Sequence, residues 1–340
     1  MDRYIALKQS DKRDYCQQAG EVLGLPPNSI EKDFWVCWTL RELFALPNTG
    51  QHLTFKGGTS LSKGWGLIKR LSEDIDIVLS RDFLGFCGDQ APDQPGIGSH
   101  ERERRLMNLR SACQTKIRES LEPEFRQRAN DALDGYMWRI EVDPDDGDRQ
   151  TLLFHYPSAV QSSPYVLPVV RIELGARSDT EPVKSPRIEP YLYQALSDIL
   201  GNAHFEARTV TPERTFWEKT SLLHEQNCRV SEVTPRPRLA RHYYDLWCLI
   251  KAGVAAKAAA DLQLFHRVIA HRKVFFRKTG SQESLEPGKL RLIPATGQMS
   301  SWKSDYNGMR EMIFEEPPEF EEILLVIADF GREFKLIADP

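Results

Sequence analysis

Two aspartates and two glycines, close together in the chain, carry the first chemical argument. Residues 73–79 read Glu-Asp-Ile-Asp-Ile-Val-Leu. A strand repeats every two residues, so Ile75, Ile77 and Leu79 share one face while Asp74, Asp76 and Val78 share the other. Two carboxylates spaced this way converge on one divalent cation and repel each other unless a cation lies between them. Magnesium takes such hard oxygen ligands and completes its shell with water and substrate phosphates. Upstream, residues 56–63 read Lys-Gly-Gly-Thr-Ser-Leu-Ser-Lys. Leu53 and Phe55 alternate with polar neighbours as a short strand does. Gly57-Gly58 then turns the chain and brings backbone N–H groups within reach of an anion. Thr59 or Ser60 caps the helix that follows, and a helix N-terminus favours phosphate. A phosphate cradle and a carboxylate pair in this order are the parts that nucleotidyl transfer needs. Singly each is common: an Asp-Ile-Asp strand lies on many solvated sheet edges, and Gly-Gly turns many loops. Other phosphate motifs fail, because Gly58 to Lys63 lacks the second P-loop glycine and Gly64-Trp65-Gly66 lacks the third glycine of a dinucleotide fingerprint.

The elements that must position these groups fall into three regions. The first, to residue 46, reads as helix, with Asn28 and Glu31 spaced as a capping box before Phe34, Val36 and Leu40. Lys32 and Asp33 then read as a solvated first turn, ahead of a direct ligand role. The second region, 51–200, holds the strands. A Gly/Asp/Pro-rich loop at 85–98 leads into a charged helix over 100–129. Strands are expected over 136–142, 151–156 and 165–174, the first two joined as a hairpin by Asp143-Pro-Asp-Asp-Gly. The third region, from Thr211, reads mostly as helix. The expected division is therefore 1–205, N-terminal helices plus the sheet core, and 206–340, a helical domain, giving an α+β class. With 340 residues the chain can bury one large core or two adjoining ones.

Composition narrows the function classes. The chain is 41% hydrophobic and 28% charged, ordinary for a globular enzyme, with a formal net charge of −4. No global polycation advertises nucleic acid, so a local basic surface would have to bind it. The six cysteines are scattered without a Cys-x-x-Cys pair, which argues against a zinc site and a disulfide scaffold. No signal peptide and no apolar run near about 18 residues is present, so a cytoplasmic protein is expected.

Three further sets of residues are candidates. A third metal carboxylate is Glu173, on the polar face of its strand with Arg171, or its competitor Glu141 on the hairpin; either also reads as an ordinary exposed strand glutamate. Thr211-Pro212-Glu213 starts a helix on which Lys219 shares a face with Phe216 and Leu223. A lysine there either snorkels or meets a negative charge. Asp245, on the helix beginning near Leu239 and beside Leu246, Leu249 and Ile250, follows Arg241 by four residues and can pair with it. Between Phe265 and Asp305 the chain is basic, with Arg272, Lys273, Arg277 and Lys278 near Phe275, Phe276 and Trp302. A basic stretch with aromatics suits an RNA backbone and exposed bases, or is a solvated face over a core. Arginines near 102–118 can add to it.

The segment resembles the signature of the AbiEii/AbiGii toxin family, a branch of the DNA polymerase β-like nucleotidyltransferases: Lys-Gly-Gly-Thr-x-Leu-x-Lys, then Arg-x-Ser-x-Asp-Ile-Asp. Lys56, Gly57, Gly58, Thr59, Leu61, Lys63, Arg70, Ser72, Asp74 and Asp76 carry it. Glu31 to Val36, Lys219, the Arg-x-x-Tyr-Asp-Leu run from Arg241, and segments near Lys273, Asp305 and Met312 extend it over nearly the whole chain. The resemblance implies a nucleotidyltransferase-fold mixed sheet with a C-terminal helical domain. It implies a cytoplasmic toxin of phage defence that transfers NMP from an NTP, with Mg²⁺ or Mn²⁺, to RNA, most readily the 3′ end of tRNA, blocking translation. It also implies an antitoxin encoded nearby, which need not bind the toxin. On this basis Asp74, Asp76, Lys219 and Asp245 are catalytic, and Asp74, Asp76 and Glu173 are metal ligands. Lys56, Gly57, Gly58, Thr59, Ser60, Lys63, Arg70 and Ser72 bind the nucleotide, and Ser72 is also a position for regulatory modification. Lys219 meets nucleotide phosphates, while Asp245 acts on the attacking hydroxyl or holds Lys219. The rival readings are an enzyme of the same fold that modifies a protein or small molecule, and a non-catalytic nucleotide-binding protein.

Overall fold

The computed structural model describes residues 1–161, 166–228, 237–276 and 285–338. The chain forms two compact units, Met1–Trp65 with Ser72–Val210, and Gly66–Leu71 with Thr211–Pro340. No helix among the described residues is long and apolar enough to cross a membrane.

The first unit is a mixed sheet with helices. Its strands are β1 (Leu53–Lys56), β2 (Asp74–Leu79), β3 (Arg139–Val142), β4 (Thr151–His155), β5 (Val169–Gly175), β6 (Val183–Lys184) and β9 (Thr209–Val210), in the order β3-β4-β5-β2-β1-β9-β6. β7 (Arg187–Ile188) and β8 (Phe205–Glu206) form a separate ribbon. Its helices are α1 (Asp2–Ile5), α2 (Gln9–Leu23), α3 (Pro27–Phe44), α4 (Gly57–Lys63), α5 (Ser99–Lys116), α6 (Glu122–Ala132), α7 (Tyr191–Ala195) and α8 (Ser197–Leu200). Each of the three expected strands is present and shorter than expected; residue 165 lies outside the described residues. The helix expected over 100–129 is α5 and α6, joined by a π-helical turn at Ile117–Leu121. β3 and β4 pair antiparallel as the expected hairpin.

Alternation along these strands divides the sheet into two chemical faces. Leu53, Phe55, Ile75, Ile77, Val170, Ile172, Leu152 and Phe154 are buried on one. Helix α3 packs there: Trp38 stacks on Phe154 with ring centroids 5.5 Å apart, and Trp35 stacks on Tyr156 at 5.3 Å. The other face is polar. β1 runs antiparallel to β2 with Lys56 opposite Asp76, and β5 runs parallel to β2 with Glu173 opposite Asp76 and Arg171 opposite Asp74.

The start of α3 corrects the sequence reading. The helix begins at Pro27 behind Pro26, with no side-chain cap. Glu31 closes no capping box. Its carboxylate accepts from the Ser158 hydroxyl at 2.5 Å and the Ala159 N–H at 2.6 Å, while burial pushes its carboxyl group up. Nor are Lys32 and Asp33 solvated, because the sheet and a later segment cover this turn. Lys32 pairs with Glu73 at 3.0 Å and donates to the carbonyl of Leu167 at 3.0 Å. Asp33 binds the Lys63 ammonium at 2.8 Å and accepts from the Tyr191 N–H at 2.7 Å. Lys63 also lies 3.5 Å from the centre of the Tyr191 ring. Burial alone would lower the pKa of Lys63; Asp33 reverses that and raises it.

The second unit is helical: α9 (Pro212–Asn227), α10 (Arg241–Lys251), α11 (Val254–Ala260), α12 (Leu262–Phe275), α13 (Met299–Gly308) and α14 (Phe320–Ala338) among the described residues. α9 starts as the Thr211-Pro212-Glu213 signal predicts, with extended Thr211 before Pro212. Trp217 packs against Phe265 and Phe334, each at 4.8 Å. The segment 66–71 is stitched into this unit by backbone bonds, Leu71 N–H to Met312 O at 2.7 Å and Phe314 N–H to Lys69 O at 2.9 Å.

The buried Lys63–Asp33 pair fastens α4 to α3. Removing one partner strands a buried charge, so Asp33→Ala is expected to destabilise by about 3–5 kcal/mol in urea unfolding. Asp33→Leu combined with Lys63→Met should recover most of that loss. An Asp33→Ala protein with the parent's midpoint would show that the pair does not fasten these helices.

Candidate functional site

The polar face of the first unit gathers the candidate carboxylates around a backbone turn. β1 ends at Lys56, and α4 begins at the next residue with Lys56 as its N-cap. Thr59 and Ser60 therefore lie inside the first turn, and neither caps the helix as expected. Gly57 can start the helix this early because its φ is +79°. The Ser60 hydroxyl donates to the Gly57 carbonyl at 2.9 Å, and the hydroxyls of Thr59 and Ser72 share a hydrogen bond of 2.9 Å. Lys56 donates to the Ser178 hydroxyl at 3.1 Å.

Gly57 is required by space as well as by conformation. A Cβ there would lie 1.9 Å from Asp76 Oδ2. The carboxylate thus packs directly on the glycine turn, so the anion-binding backbone and the second aspartate are one local structure. Asp74 is two residues earlier on the same face, beside Arg171. Two hard oxygen donors next to a phosphate-sized backbone turn fit a magnesium-type ion that keeps phosphate and water ligands. Glu173 is opposite Asp76 in register, but Arg171 Nε holds its carboxylate at 2.9 Å, and Arg171 also binds Asp143. Glu141, the competitor, accepts from His155 Nε2 at 3.0 Å on the hairpin. Among the described residues no three His, Cys, Asp or Glu side chains converge as a metal site.

Lys63, expected at the nucleotide, does not contribute a ligand-facing ammonium. It is 8% exposed and committed to Asp33 and Tyr191.

The second unit brings Arg70, Lys219 and Asp245 together. Asp245 is fully buried and accepts two bonds from Arg70, at 2.7 and 2.8 Å, and one contact from Lys219 at 2.8 Å. Burial alone would raise the pKa of Asp245, but the two cations outweigh it and hold the carboxyl well below the usual range. Lys219 is lowered by burial, against the pull of Asp245. Its ammonium also faces Nδ1 of half-buried His242 at 3.3 Å. An ammonium has no acceptor to offer, so the imidazole accepts there as the neutral ring. Burial, Lys219 and Arg241 push the pKa of His242 well down, against Asp245. Sequence reasoning missed His242; its position three residues before Asp245 on one helix was the available signal.

Of the residues expected on the RNA surface, Arg272 is engaged within the protein. Arg272 binds Glu225 through three bonds of 2.7–2.9 Å and lies over Phe276. Phe275 and Trp302 are buried in the core, so they offer no stacking surface. Lys273 is exposed near the end of α12, and Arg277 and Lys278 lie outside the described residues. On α5, Arg104 and Arg105 both bind Glu101, one turn away, and Arg110 binds Asp148.

The family model described as "Nucleotidyl transferase AbiEii toxin, Type IV TA system" matches residues 38–326. No curated protein matches the chain. Among solved structures, the nucleotidyltransferase toxin MenT4 from Mycobacterium tuberculosis H37Rv is similar at 15% identity and a TM-score of 0.38, over 98% of this chain and 99% of that one. JHP933 from Helicobacter pylori is similar at 16% identity and a TM-score of 0.41, over 91% of each chain.

Two measurements probe this geometry. Gly57→Ala is expected to cost roughly 1–3 kcal/mol from the positive φ, plus the displacement of Asp76. Gly85→Ala has a similar φ of +82° with nothing within 4 Å of the new Cβ, so it reports the backbone cost alone. Equal urea midpoints for the two variants would show that the Asp76 contact is not limiting. For His242, the unfolded chain protonates near about pH 6.5 and the folded chain only at lower pH. The unfolded state therefore binds more protons in between, and stability falls as pH drops below about 7. His242→Gln should flatten this loss; an unchanged difference between midpoints at about pH 7 and pH 5.5 would mean His242 is not held neutral.

Proposed function

Because the chain belongs to the AbiEii family of nucleotidyltransferase toxins, we propose that it transfers NMP from an NTP to the 3′ end of tRNA and so blocks translation. The observation that carries this reading is the Asp76 carboxylate seated on the Gly57 turn, 1.9 Å from where a Cβ would be. That packing joins a phosphate-binding backbone to a carboxylate in a single local structure. The triphosphate lies over Gly57, Gly58 and Thr59, where first-turn N–H groups favour an anion. Asp74 and Asp76 would hold Mg²⁺ or Mn²⁺, which supplies Lewis-acid polarisation and neutralises phosphate charge. We assign the ion to these two aspartates and leave Glu173 to Arg171.

Lys219 acts as a cation for nucleotide phosphate, as the family resemblance implies, and the geometry within the second unit suits that role. Its ammonium is held by Asp245 and His242 beside the Arg70 guanidinium, a site of excess positive charge. Asp245, saturated by Arg70 and Lys219, positions Lys219 and is too strongly acidic to act as a base. Arg70 is part of the same support and is not itself a nucleotide ligand. An antitoxin encoded nearby is the expected partner. One observation favours a second reading with a protein acceptor: pairing of Arg272 with Glu225 removes part of the basic surface that an RNA would use.

The test is a labelling assay with purified protein, Mg²⁺, each α-labelled NTP in turn and total tRNA, with Asp76→Ala alongside. Label should enter tRNA with the parent and fall by at least about a hundredfold in the variant, the scale of losing one charge-stabilising group. Label on protein would install the second reading. Transfer by Asp76→Ala at the parent's rate would remove Asp76 from the site.

A further inference from the structure

The polar face of the first unit continues past the aspartates into a cavity of about 330 Å³ whose lining includes Thr54, Val78, Ser80, Arg81, Asp179 and Arg208. We infer that this cavity seats the 3′-terminal ribose-phosphate of an RNA acceptor, an inference that rests on the transfer reaction proposed above.

Position supplies the first argument. Thr54 and Val78 are register partners, two residues along from the Lys56–Asp76 pair and on the same face. At about 3.4 Å per residue the cavity begins some 7 Å beyond Asp76. The glycine turn leaves β1 at the opposite end, after Lys56. Transfer at phosphorus runs in line, with the attacking and leaving oxygens on opposite sides. With pyrophosphate leaving over Gly57 to Thr59, the attacking hydroxyl arrives from the side of Thr54 and Val78. In that step the terminal hydroxyl oxygen bonds to the α-phosphorus and the α–β phosphoanhydride bond breaks. Pyrophosphate departs with the bridging oxygen, and the hydroxyl proton passes to solvent.

Chemistry supplies the second. Arg81 and Arg208 suit phosphate, while Asp179 and the Ser80 hydroxyl suit ribose hydroxyls. The arginines sit in ion pairs that a ligand can enter. Arg208 pairs with Glu181 at 2.6 Å with both side chains about half exposed, and Arg81 lies 3.5 Å from Asp93 and 3.9 Å from Asp179. An exposed pair such as Arg208–Glu181 adds little to stability and exchanges readily. His52, held flat against Phe83 at 3.9 Å, also lines the cavity and offers a base a stacking surface. Ser178 links the cavity to the aspartates, because it lines the cavity and accepts from Lys56.

The experiment compares the parent with Arg81→Gln and Arg208→Gln, after thermal melting shows both variants folded as the parent is. Transfer is measured with tRNA varied at saturating NTP, then with NTP varied at saturating tRNA. Binding of a short single-stranded RNA ending in C-C-A is followed by fluorescence anisotropy without NTP or metal. Each variant should raise the KM for tRNA and the Kd for the oligonucleotide about tenfold, the scale of one charge-assisted bond, and leave the KM for NTP unchanged. A rise confined to the KM for NTP would give the cavity to the donor and overturn the inference. A parent that labels tRNA, with variants that bind and react as it does, keeps the reaction and discards the cavity. A parent that labels nothing yet binds the oligonucleotide through these arginines supports the cavity and discards the reaction.

Discussion

The carboxylate of Asp76 occupies the space that any side chain on residue 57 would need. The antiparallel register sets this up: Lys56 is opposite Asp76 and ends its strand, so the next residue must turn against that carboxylate. Only glycine satisfies both the crowding and the φ of +79°. The rest of the polar face follows. Helix α4 has to begin at Gly57, which puts its unpaired first-turn N–H groups beside the aspartates. Thr59 then falls where its hydroxyl meets that of Ser72, drawing in the chain just before β2. The parallel register of β5 sets Arg171 and Glu173 beside the two aspartates, where the guanidinium takes up the glutamate.

Buried charges hold this arrangement and the cluster in the second unit. Each buried ion costs several kcal/mol of desolvation, so such pairs contribute less to net stability than to the choice of one geometry. Lys63 and Asp33 illustrate this. Their pairing seats the end of α4 on α3, the helix that fills the apolar side of the sheet, so the glycine turn is anchored at its far end. In the second unit one carboxylate serves two cations, leaving the cluster with an excess positive charge. His242 stays neutral there, because a proton on it would add a third cation. An ammonium with two fixed acceptors and a surplus of nearby positive charge is suited to an anionic ligand.

The strands were legible where burial is one-sided. Ile75, Ile77 and Leu79 alternate with Asp74, Asp76 and Val78, and the structure buries one set and leaves the polar face to the other. The start of α9 was legible because Thr-Pro-Glu is a local signal. Partners distant in sequence were not. Lys32 and Asp33 look like a solvated first turn because periodicity within a helix says nothing of the strand loop and turn that cover them. Arg272 looks like an RNA contact until Glu225, far back on α9, binds it. Thr59 and Ser60 look like caps because a glycine with positive φ, unlike other residues, can open the helix three or four positions earlier than composition suggests. Residues 66–71 have no periodicity to show that they pack with the helices from Thr211 onward.

A chain with a net charge of −4 is an unusual RNA enzyme if RNA is bound along its backbone. The proposed acceptor site removes the difficulty, since it engages a strand end. Binding affinity for a single strand falls with salt by a slope near 0.7 per phosphate neutralised, so a backbone tract demands many cations and an end demands few. Arg81 and Arg208, on one polar cavity, suffice for the last phosphates, with His52 for a base. Their existing carboxylate neighbours then have a use of their own. They keep the arginines from attracting long polyanions indiscriminately, and they yield when a ribose and phosphate fill the cavity together. Discrimination on this scheme comes from the shape of a terminus, which a surface of excess positive charge would blur.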